Sequence, residues 1–254
     1  DGVGGGSIWA NFSRFFGEIV PRPLRGGDIF ALDTWGRFAA WPWPIAKNQI
    51  GPGVVQTLVL AQIAMVGMAA LALGLFPIIC ERFSGRLGKP LGRVVLVVVR
   101  STPEYMLAYV LLQLLGPSML PAIVALALHN GAIVGYLMGR HADVLDYRPD
   151  APKGVDLYFY ETVPRLYGQF LAYVLYRWEI ILRESAIFGI LGVATLGFYV
   201  DAAISELKLD VAVLLIFAMA LLSMAVDVLS RRLRRALRID TMPTRLSAAP
   251  VDPK

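Results

Sequence analysis

The chain has 254 residues, a formal net charge of +5 and a single cysteine, Cys80. Hydrophobic residues make up 57% of it and charged residues only 17%, whereas soluble domains are usually about a quarter charged. Because the apolar residues form long blocks, this composition excludes an ordinary soluble domain and predicts an integral membrane protein. The basic residues gather at the ends of those blocks, which fits membrane topology and argues against a nucleic-acid partner.

The first 50 residues are too polar to span a membrane. Residues 1–7 read DGVGGGS, which is typical of a linker or a processed end. The next stretch, SIWANFSRFFGEIV, mixes aromatic and charged side chains and predicts an interfacial amphipathic helix. Trp41 and Trp43 precede the first long apolar block, and tryptophan favours the headgroup zone. We assign residues 1–50 to an extracytoplasmic or interfacial segment; a loop packed on the extracytoplasmic surface explains the same residues.

Five later segments are candidates for membrane-spanning helices, which need about 20 residues each. They cover residues 54–79, 92–116, 120–139, 167–200 and 211–230. We therefore predict a transmembrane domain over residues 51–230 and a basic tail over residues 231–254. Lysine and arginine concentrate after the first span, in the loop over residues 140–166 and in the tail, so these regions are expected on the cytoplasmic face. The N-terminus is then outside, and we expect a further helix upstream.

The fourth candidate span carries four charged residues in an otherwise apolar stretch, LYRWEIILRESAIFGILG. An ionisable side chain at membrane depth costs roughly 2.5 kcal/mol or more, so it needs a partner, water or an interface. Glu179 and Arg183 are four residues apart, in the favourable order for a helical ion pair. Arg177 and Glu184 fall on a nearly opposite face. At least one face should point into protein or water, and structural ion pairs near a cytoplasmic interface are the alternative.

Polar groups also interrupt the second and third candidate spans. In RSTPE, Arg100 and Glu104 are four residues apart, and Pro103 removes a backbone donor and favours a kink. Transporters often expose backbone to a substrate cavity at broken helices, although a hinge between an interfacial helix and a short span gives the same pattern. His129 and Asn130 lie midway along the third span, where they would line a substrate path or hydrogen-bond to a neighbouring helix.

The loop over residues 140–166 is too rich in turn formers to be one helix. Within it, VDLYFYETV predicts a short amphipathic helix that ends at Pro164. Such a helix on the cytoplasmic face suits the docking of a partner protein, and an ordinary connecting loop is the alternative. Other chemistry has little support, because GRLGKP lacks the residues of a phosphate-binding loop and two histidines with one cysteine make no convincing metal site.

Five segments carry a family pattern in chain order over about residues 7–238. They read ANFSRFFGEIVP, RSTPEYMLAYVLL, ALALHNGAIVGYL, LAYVLYRWEIILRESAIFGILGVATLGFYV and AVDVLSRRLRRAL. These segments resemble the permeases of phosphonate-type ABC importers, the PhnE family. That family has an additional first helix and a cytoplasmic loop with Glu-Ala-Ala, then glycine, then Leu-Pro. Here residues 145–147, Leu-Asp-Tyr, replace Glu-Ala-Ala, Pro164 matches the end of the loop, and Gly154 is out of register with the glycine.

The resemblance implies an all-α membrane protein with the type I ABC importer permease fold, about five transmembrane helices here and the usual first helix missing. It implies a multi-pass subunit of the bacterial inner membrane with a cytoplasmic C-terminus, paired with a second permease subunit as a homodimer or heterodimer. The other implied partners are two cytoplasmic ATPase subunits, a periplasmic substrate-binding protein and the lipid bilayer. The chain itself is then no enzyme and holds no cofactor or metal, because ATP and magnesium bind to the ATPase.

The implied cargo is a small phosphorus oxyanion: phosphonate, phosphite, hypophosphite or a related compound. Charged and hydrogen-bonding groups that line a cavity lower the desolvation cost of such an anion. The residues predicted to line or brace its path are Arg100, Ser101, Thr102, Glu104, His129, Asn130, Arg177, Glu179, Arg183, Glu184 and Ser185. The residues predicted to contact the ATPase are Asp150, Ala151, Lys153, Gly154, Leu157, Tyr158 and Pro164. The alternative function is an ion-coupled secondary transporter or membrane subunit that uses the same charges as a proton relay; a scaffold with purely structural charges is a third.

Overall fold

The computed structural model describes residues 8–25 and 30–237, and all regular structure in these ranges is helical. The helices of at least nine residues there are α1 (Ile8–Ile19), α2 (Leu32–Ala40), α3 (Gly51–Ile79), α4 (Glu81–Ser101), α5 (Glu104–Leu115), α6 (Leu120–Asp143), α7 (Val163–Glu184), α8 (Leu196–Ser205) and α9 (Leu209–Ala236). The predicted linker over residues 1–7 and the end of the predicted tail lie outside the described residues. The all-α class predicted from the sequence is confirmed for the described chain.

Three helical runs of the described chain are long and apolar enough to cross a membrane. They are Leu32–Ile79, which contains α3, together with α6 and α9. A fourth span results if α4 and α5, which are bent by 90°, count as one broken span. The break falls in the RSTPE sequence, where the kink was predicted. Thr102 is extended there, with φ −78° and ψ 121°, because a residue that precedes proline avoids the helical conformation.

The stretch predicted as one span over residues 167–200 consists of two helices joined by a turn. α7 ends at Glu184, a 3-10 turn covers Ile187–Gly189, and α8 begins at Leu196. Gly192 has a φ of 82°, a left-handed conformation that glycine adopts without strain. The prediction of one continuous helix is therefore wrong. α7 also carries five charged residues, and it is not among the helices apolar enough to span a membrane.

A widened, π-helical turn precedes a proline at two places in the described chain. One turn covers Ala46–Ile50, before Pro52, and the other covers Tyr158–Thr162, before Pro164. In the second, the Val163 N–H donates to the carbonyl of Tyr158, five residues earlier. Proline lacks an N–H and its ring crowds the carbonyl four residues back, so a wider turn relieves the crowding. The helix predicted to end at Pro164 therefore continues through the π turn into α7.

The chain divides into two compact units, and unit 1 comprises the described parts of Asp1–Ala64, Glu104–Ala125 and Ile180–Val226. Its core joins α8 to α9 through the fully buried side chains of Leu196 and Leu215. Ion pairs connect the N-terminal segment to α9. The buried Asp210 carboxylate lies 3.6 Å from Arg22 Nε and 3.8 Å from Arg25 Nη2. The predicted helix at the N-terminus, α1, is present and its interfacial position stays a prediction.

Unit 2 comprises the described parts of Met65–Pro103, Leu126–Glu179 and Asp227–Lys254. Here α6 packs closely on α3 along a face of three glycines, Gly131, Gly135 and Gly139. A Cβ added to Gly139 would lie 2.9 Å from the carbonyl oxygen of Phe76. Glycines spaced four residues apart share one helix face and let two backbones approach closely. The glycine face therefore fixes the packing of these two helices.

Candidate functional site

The predicted path residues divide between the two units. Those in unit 2 are Arg100, Ser101, Thr102, His129, Asn130, Arg177 and Glu179. Those in unit 1 are Glu104, Arg183, Glu184 and Ser185. We describe each group within its own unit, and its role in a path stays a prediction.

In unit 2, α6 contacts the broken end of α4. The Nδ1 of His129 lies 3.0 Å from the carbonyl oxygen of Thr102. A carbonyl only accepts, so Nδ1 is the donor and Nε2 remains an acceptor when the ring is neutral. This bond satisfies a carbonyl that the end of a helix leaves without an intrahelical partner. Two residues predicted for the path are thus brought into direct contact.

A cation–π contact connects the same two helices, α4 and α6. The guanidinium of Arg100 stands 4.1 Å from the centre of the Tyr136 ring, an arrangement worth about 0.5–1 kcal/mol at an accessible position. Arg100 is partly exposed, so its charge can still reach water or an anion. Tyr136 was not among the predicted residues. Its position seven residues after His129, on the same face of α6, was the available signal.

The remaining predicted residues of unit 2 occupy varied surroundings. Asn130 is fully buried, and its Nδ2 donates to the carbonyl of Leu126 at 3.1 Å within α6. Ser101 is exposed, whereas Arg177 and Glu179 are partly exposed. Asn130 thus has a packing position inside the helix bundle, and the other three are at least partly exposed at the surface of the chain.

In unit 1, the turn segment, which we define as residues 185–197, is tied down by buried hydrogen bonds. Ser185 is fully buried, and its Oγ donates to the Leu182 carbonyl at 2.6 Å. The N–H of Leu196, at the start of α8, donates to Thr57 Oγ1 at 3.0 Å, and that hydroxyl donates to the Gly53 carbonyl at 2.7 Å. Thr57 therefore acts as the cap of α8 from a distant helix.

Two glycines close the same turn segment by backbone contact. A Cβ on Gly197 would overlap the carbonyl group of Ala186, whose carbon would lie 2.7 Å away. A Cβ on Gly189 would lie 2.8 Å from the carbonyl oxygen of Gly197. The exposed Arg183 precedes this segment and borders a mainly apolar cavity of about 680 Å³. Ser185 is consequently held in a rigid turn, and Arg183 is accessible.

The coupling segment, defined as residues 144–162 in unit 2, has its first anchor at Tyr158. Tyr158 stacks on Phe76 with ring centres 5.3 Å apart and 15° between the planes, and its edge contacts Phe83. The Tyr158 hydroxyl donates to the Leu73 carbonyl at 3.0 Å. Burial raises the pKa of the Tyr158 hydroxyl above its usual value. The neighbouring Leu157 is also buried.

A second anchor of the coupling segment is Tyr147. Its hydroxyl lies 3.1 Å from Thr162 Oγ1, and the Arg82 guanidinium stands 4.4 Å from the ring centre. Burial raises the pKa of Tyr147, although the hydrogen bond with Thr162 opposes the shift. Arg165 completes the group by donating to the Asp146 carbonyl at 2.9 Å. The residues that replace the family's Glu-Ala-Ala sequence therefore have structural contacts of their own.

On either side of Tyr158 the coupling segment exposes large apolar side chains. Val155 is 70% exposed, Phe159 60% and Tyr160 79%. None of the three was predicted as an ATPase contact, whereas the predicted Leu157 and Tyr158 point inward. Tyr158, Phe159 and Tyr160 all lie within the π turn, whose presence the sequence pattern does not show.

The other predicted contact residues are exposed or partly exposed in the same stretch of the chain. Asp150, Lys153, Gly154 and Pro164 are exposed, and Ala151 is partly exposed. Gly154 begins the helical part with a φ of 66°, which a residue with a side chain adopts only with strain. In residues 8–25 and 30–237, no group of three or more histidine, cysteine or acidic side chains is placed to hold a metal ion.

Known membrane permeases are similar to this chain in sequence. It is 27% identical over 150 residues to the phosphite transport system permease protein PtxC of Stutzerimonas stutzeri, covering 56% of this chain and 54% of that protein. It is 27% identical over 151 residues to the phosphate-import permease protein PhnE of Mycolicibacterium smegmatis, covering 57% of this chain and 28% of that protein. The chain thus spans about half or less of the length of these relatives. No protein-family model matches it.

A solved structure shares the fold. The match is a chain from the crystal structure of an amino acid ABC transporter with histidines, at a TM-score of 0.61 and 16% identity. The alignment covers 82% of this chain and all of the other, 100%. The ABC permease fold predicted from the sequence is confirmed by this match, and the predicted resemblance to phosphonate-type permeases is confirmed by the sequence relatives.

Proposed function

We infer that this permease of the phosphonate importer type is the membrane-spanning subunit of an ATP-driven importer for a small phosphorus oxyanion. The observation that carries the inference is the similarity to two permeases that are named for phosphite and for phosphate import. The alternative of an ion-coupled secondary transporter is not favoured, because the relatives are named as permeases of phosphite transport and phosphate import and the structure that shares the fold belongs to an ABC transporter.

The contacts in unit 2 support a path for an anion. At the break after α4, Arg100 offers a positive charge that remains partly exposed, and the Tyr136 ring holds it in place. His129 holds the backbone of Thr102 at the same break. A fixed, water-accessible guanidinium lowers the free energy of an oxyanion that leaves bulk water. We therefore place Arg100 in the path, with His129 and Tyr136 as the residues that position it.

The surface of the coupling segment supports a protein partner on the cytoplasmic side. Val155, Phe159 and Tyr160 expose apolar area in the same segment as the exposed, charged Asp150 and Lys153. An apolar centre with a charged rim is typical of protein interfaces. We propose that this surface receives a separate ATPase subunit, which hydrolyses ATP with magnesium while this chain forms the pathway. A second permease subunit and a periplasmic substrate-binding protein complete the proposed inner-membrane complex.

The first experiment is to purify the complex through a tag on this chain and to identify the proteins that accompany it. The expected result is a stoichiometric ATPase whose ATP hydrolysis rises when a binding protein loaded with phosphite, phosphate or methylphosphonate is added. The substrate that gives the largest rise ranks first. Active uptake of any of these anions by vesicles that contain this chain without an ATPase would overturn the importer proposal in favour of ion coupling.

A matched pair of variants tests the path. Arg100→Gln removes the guanidinium at the break, and Arg93→Gln removes an exposed arginine from the same helix. We expect the first variant to lower oxyanion uptake by about tenfold or more, equivalent to about 1.4 kcal/mol, and the second to leave uptake unchanged. Both should express and assemble normally. Equal uptake by Arg100→Gln and the parent chain would remove Arg100 from the path without contradicting the importer.

A further inference from the structure

A cavity in unit 2, lined in part by charged and aromatic side chains, is separate from the groups assigned above to the break after α4 and to the coupling segment. It has a volume of about 570 Å³ and lies among the C-terminal end of α6, the middle of α7 and the C-terminal end of α9. α6 and α9 are both apolar enough to span a membrane, and four arginines follow at the end of α9 within residues 231–235. Such a cluster marks the headgroup zone of the cytoplasmic leaflet.

The charged side chains that line this cavity are balanced in sign. Arg231 and Arg234 supply two positive charges, and Glu179 and Asp227 supply two negative charges. Asp227 forms an ion pair with Arg231 one turn along α9. Within the described ranges, Arg234 has no acidic side chain in ion-pair contact. A purely anionic ligand would meet both carboxylates, whereas a zwitterion presents one charge to each kind of side chain.

Three aromatic side chains form much of the remaining lining, together with Gln169 and Ala172. Tyr173 and Tyr176 come from α7, and His141 comes from the end of α6. The His141 Nδ1 lies 2.9 Å from the Leu137 carbonyl, so only Nε2 is left for a ligand. Tyrosine rings attract an ammonium group through their faces, and their hydroxyls donate hydrogen bonds to a phosphate. The lining therefore offers partners for a cation and for an anion.

We propose that this cavity binds a phosphoethanolamine group, carried by a phosphatidylethanolamine of the membrane. The phosphate lies at Arg231 and Arg234. The primary ammonium lies at the carboxylates of Glu179 and Asp227, beside the tyrosine rings. The acyl chains extend along the apolar surface of α9, where Val228 and Leu229 are 41% and 46% exposed. This site holds a lipid, and it goes beyond the transport of an oxyanion.

The test is thermal unfolding of the purified full-length chain in detergent, with short-chain dioctanoyl phospholipids added. Phosphatidylethanolamine should raise the midpoint by roughly 3 °C or more near saturation. Phosphatidylcholine lacks ammonium N–H donors and phosphatidylglycerol lacks the ammonium group, so both should raise it less. An equal or larger shift with phosphatidylglycerol, or no shift with any lipid, overturns the proposal. An equal shift with soluble phosphoethanolamine overturns the membrane lipid as the occupant.

A matched pair of double variants localises the effect. R231Q/R234Q removes two arginines that line the cavity, and R232Q/R235Q removes the same charge from the same helix at positions outside the lining. We expect the first pair to lose the phosphatidylethanolamine shift and the second to keep it. Loss in both would assign the effect to the general charge of the helix end and overturn the cavity.

A single variant keeps the proposal testable if the double variants fail to fold. Glu179→Gln removes a carboxylate from the ammonium side and leaves both arginines in place. It should abolish the preference for phosphatidylethanolamine over phosphatidylglycerol, because the phosphate contacts are unchanged. An unaltered preference would exclude recognition of the ammonium by Glu179 and overturn the assigned orientation of the headgroup.

Discussion

The turn segment of unit 1 and the coupling segment of unit 2 both interrupt the long helices, but different forces hold them. The turn segment is closed by backbone contact at Gly189 and Gly197 and by a buried hydrogen bond from Leu196 to Thr57. The coupling segment is anchored by two tyrosine rings, Tyr147 and Tyr158, and exposes much of its remaining apolar surface.

The difference bears on how each segment tolerates substitution. Backbone atoms that touch cannot yield without moving two chain segments, so a carbon added at Gly189 or Gly197 forces a rearrangement. An exposed side chain in the coupling segment can be replaced with little effect on folding. We therefore expect sharp losses of stability in the first segment, and in the second mainly losses of partner binding.

The largest effect is expected for Gly197→Ala. Its Cβ would overlap the Ala186 carbonyl, and the loss of stability should be about 3 kcal/mol or more, at the upper end of overpacking effects. The measurement is the midpoint of thermal aggregation for the detergent-purified chain. Gly36→Ala is the control, because Gly36 lies in α2 with nothing within 4 Å of the added carbon. This control should be neutral or slightly stabilising; similar midpoints for the two variants would contradict the backbone closure.

A smaller loss is expected for Thr57→Val, which keeps the shape of the side chain and removes its hydroxyl. The buried Leu196 N–H then lacks its acceptor, which should reduce stability by about 1–3 kcal/mol. Thr57→Ser restores the hydroxyl and should recover most of the loss. Hydrogen exchange at the start of α8 should accelerate in the valine variant only, and unchanged exchange there would show that Thr57 is not the cap.

Tyr158→Phe should reduce stability by about 1 kcal/mol, because it removes one hydrogen bond and preserves the stack on Phe76. Burial raises the pKa of Tyr158, so the neutral hydroxyl's contribution is complete below the unfolded value of about 10. The contribution is lost as the pH rises through the higher folded value. At pH 8 the thermal midpoint of the parent should therefore exceed that of the variant. Above pH 10 this difference should become smaller. Tyr160→Phe, which alters an exposed hydroxyl, should match the parent at pH 8.

The smallest effect on stability is expected for Tyr160→Ser, within about 0.5 kcal/mol, since this side chain is 79% exposed. Its effect should appear in the amount of ATPase that copurifies with the chain, which we expect to fall severalfold. Val144→Ser is the control, because Val144 is 67% exposed in the same segment but lies before the helical part. Equal losses of ATPase in both variants would argue against a specific contact at Tyr160.

The long helices were predictable because uninterrupted apolar sequence leaves few alternatives to a membrane span. Residues 54–79, 120–139 and 211–230 were predicted, and α3, α6 and α9 contain them, with α9 extending to Ala236 into the predicted tail. The kink near Pro103 was predictable from the chemistry of proline alone. The boundaries predicted for the N-terminal segment, the transmembrane domain and the tail stay a prediction.

The contacts between residues distant in the sequence could not be predicted from the sequence pattern. Gly189 and Gly197 are eight residues apart, and nothing local shows that their backbones touch. Thr57 lies in the first apolar block, 139 residues before the amide that it caps. In contrast, Gly131, Gly135 and Gly139 have a regular spacing of four, so their shared helix face could have been inferred. Of the predicted path residues, His129 and Thr102 do meet, whereas Asn130 is turned into the helix packing.

The π turn over Tyr158–Thr162 also acts as a phase shift in the helix. A π turn holds one residue more than an α turn, which rotates everything before it by about 100° relative to α7. The direction in which the residues before this turn face relative to α7 therefore depends on the number of residues in the turn as well as on their chemistry. Removing one residue there would turn a different aromatic ring toward Phe76. The number of residues in this turn therefore matters for the orientation of the segment, whatever their side chains.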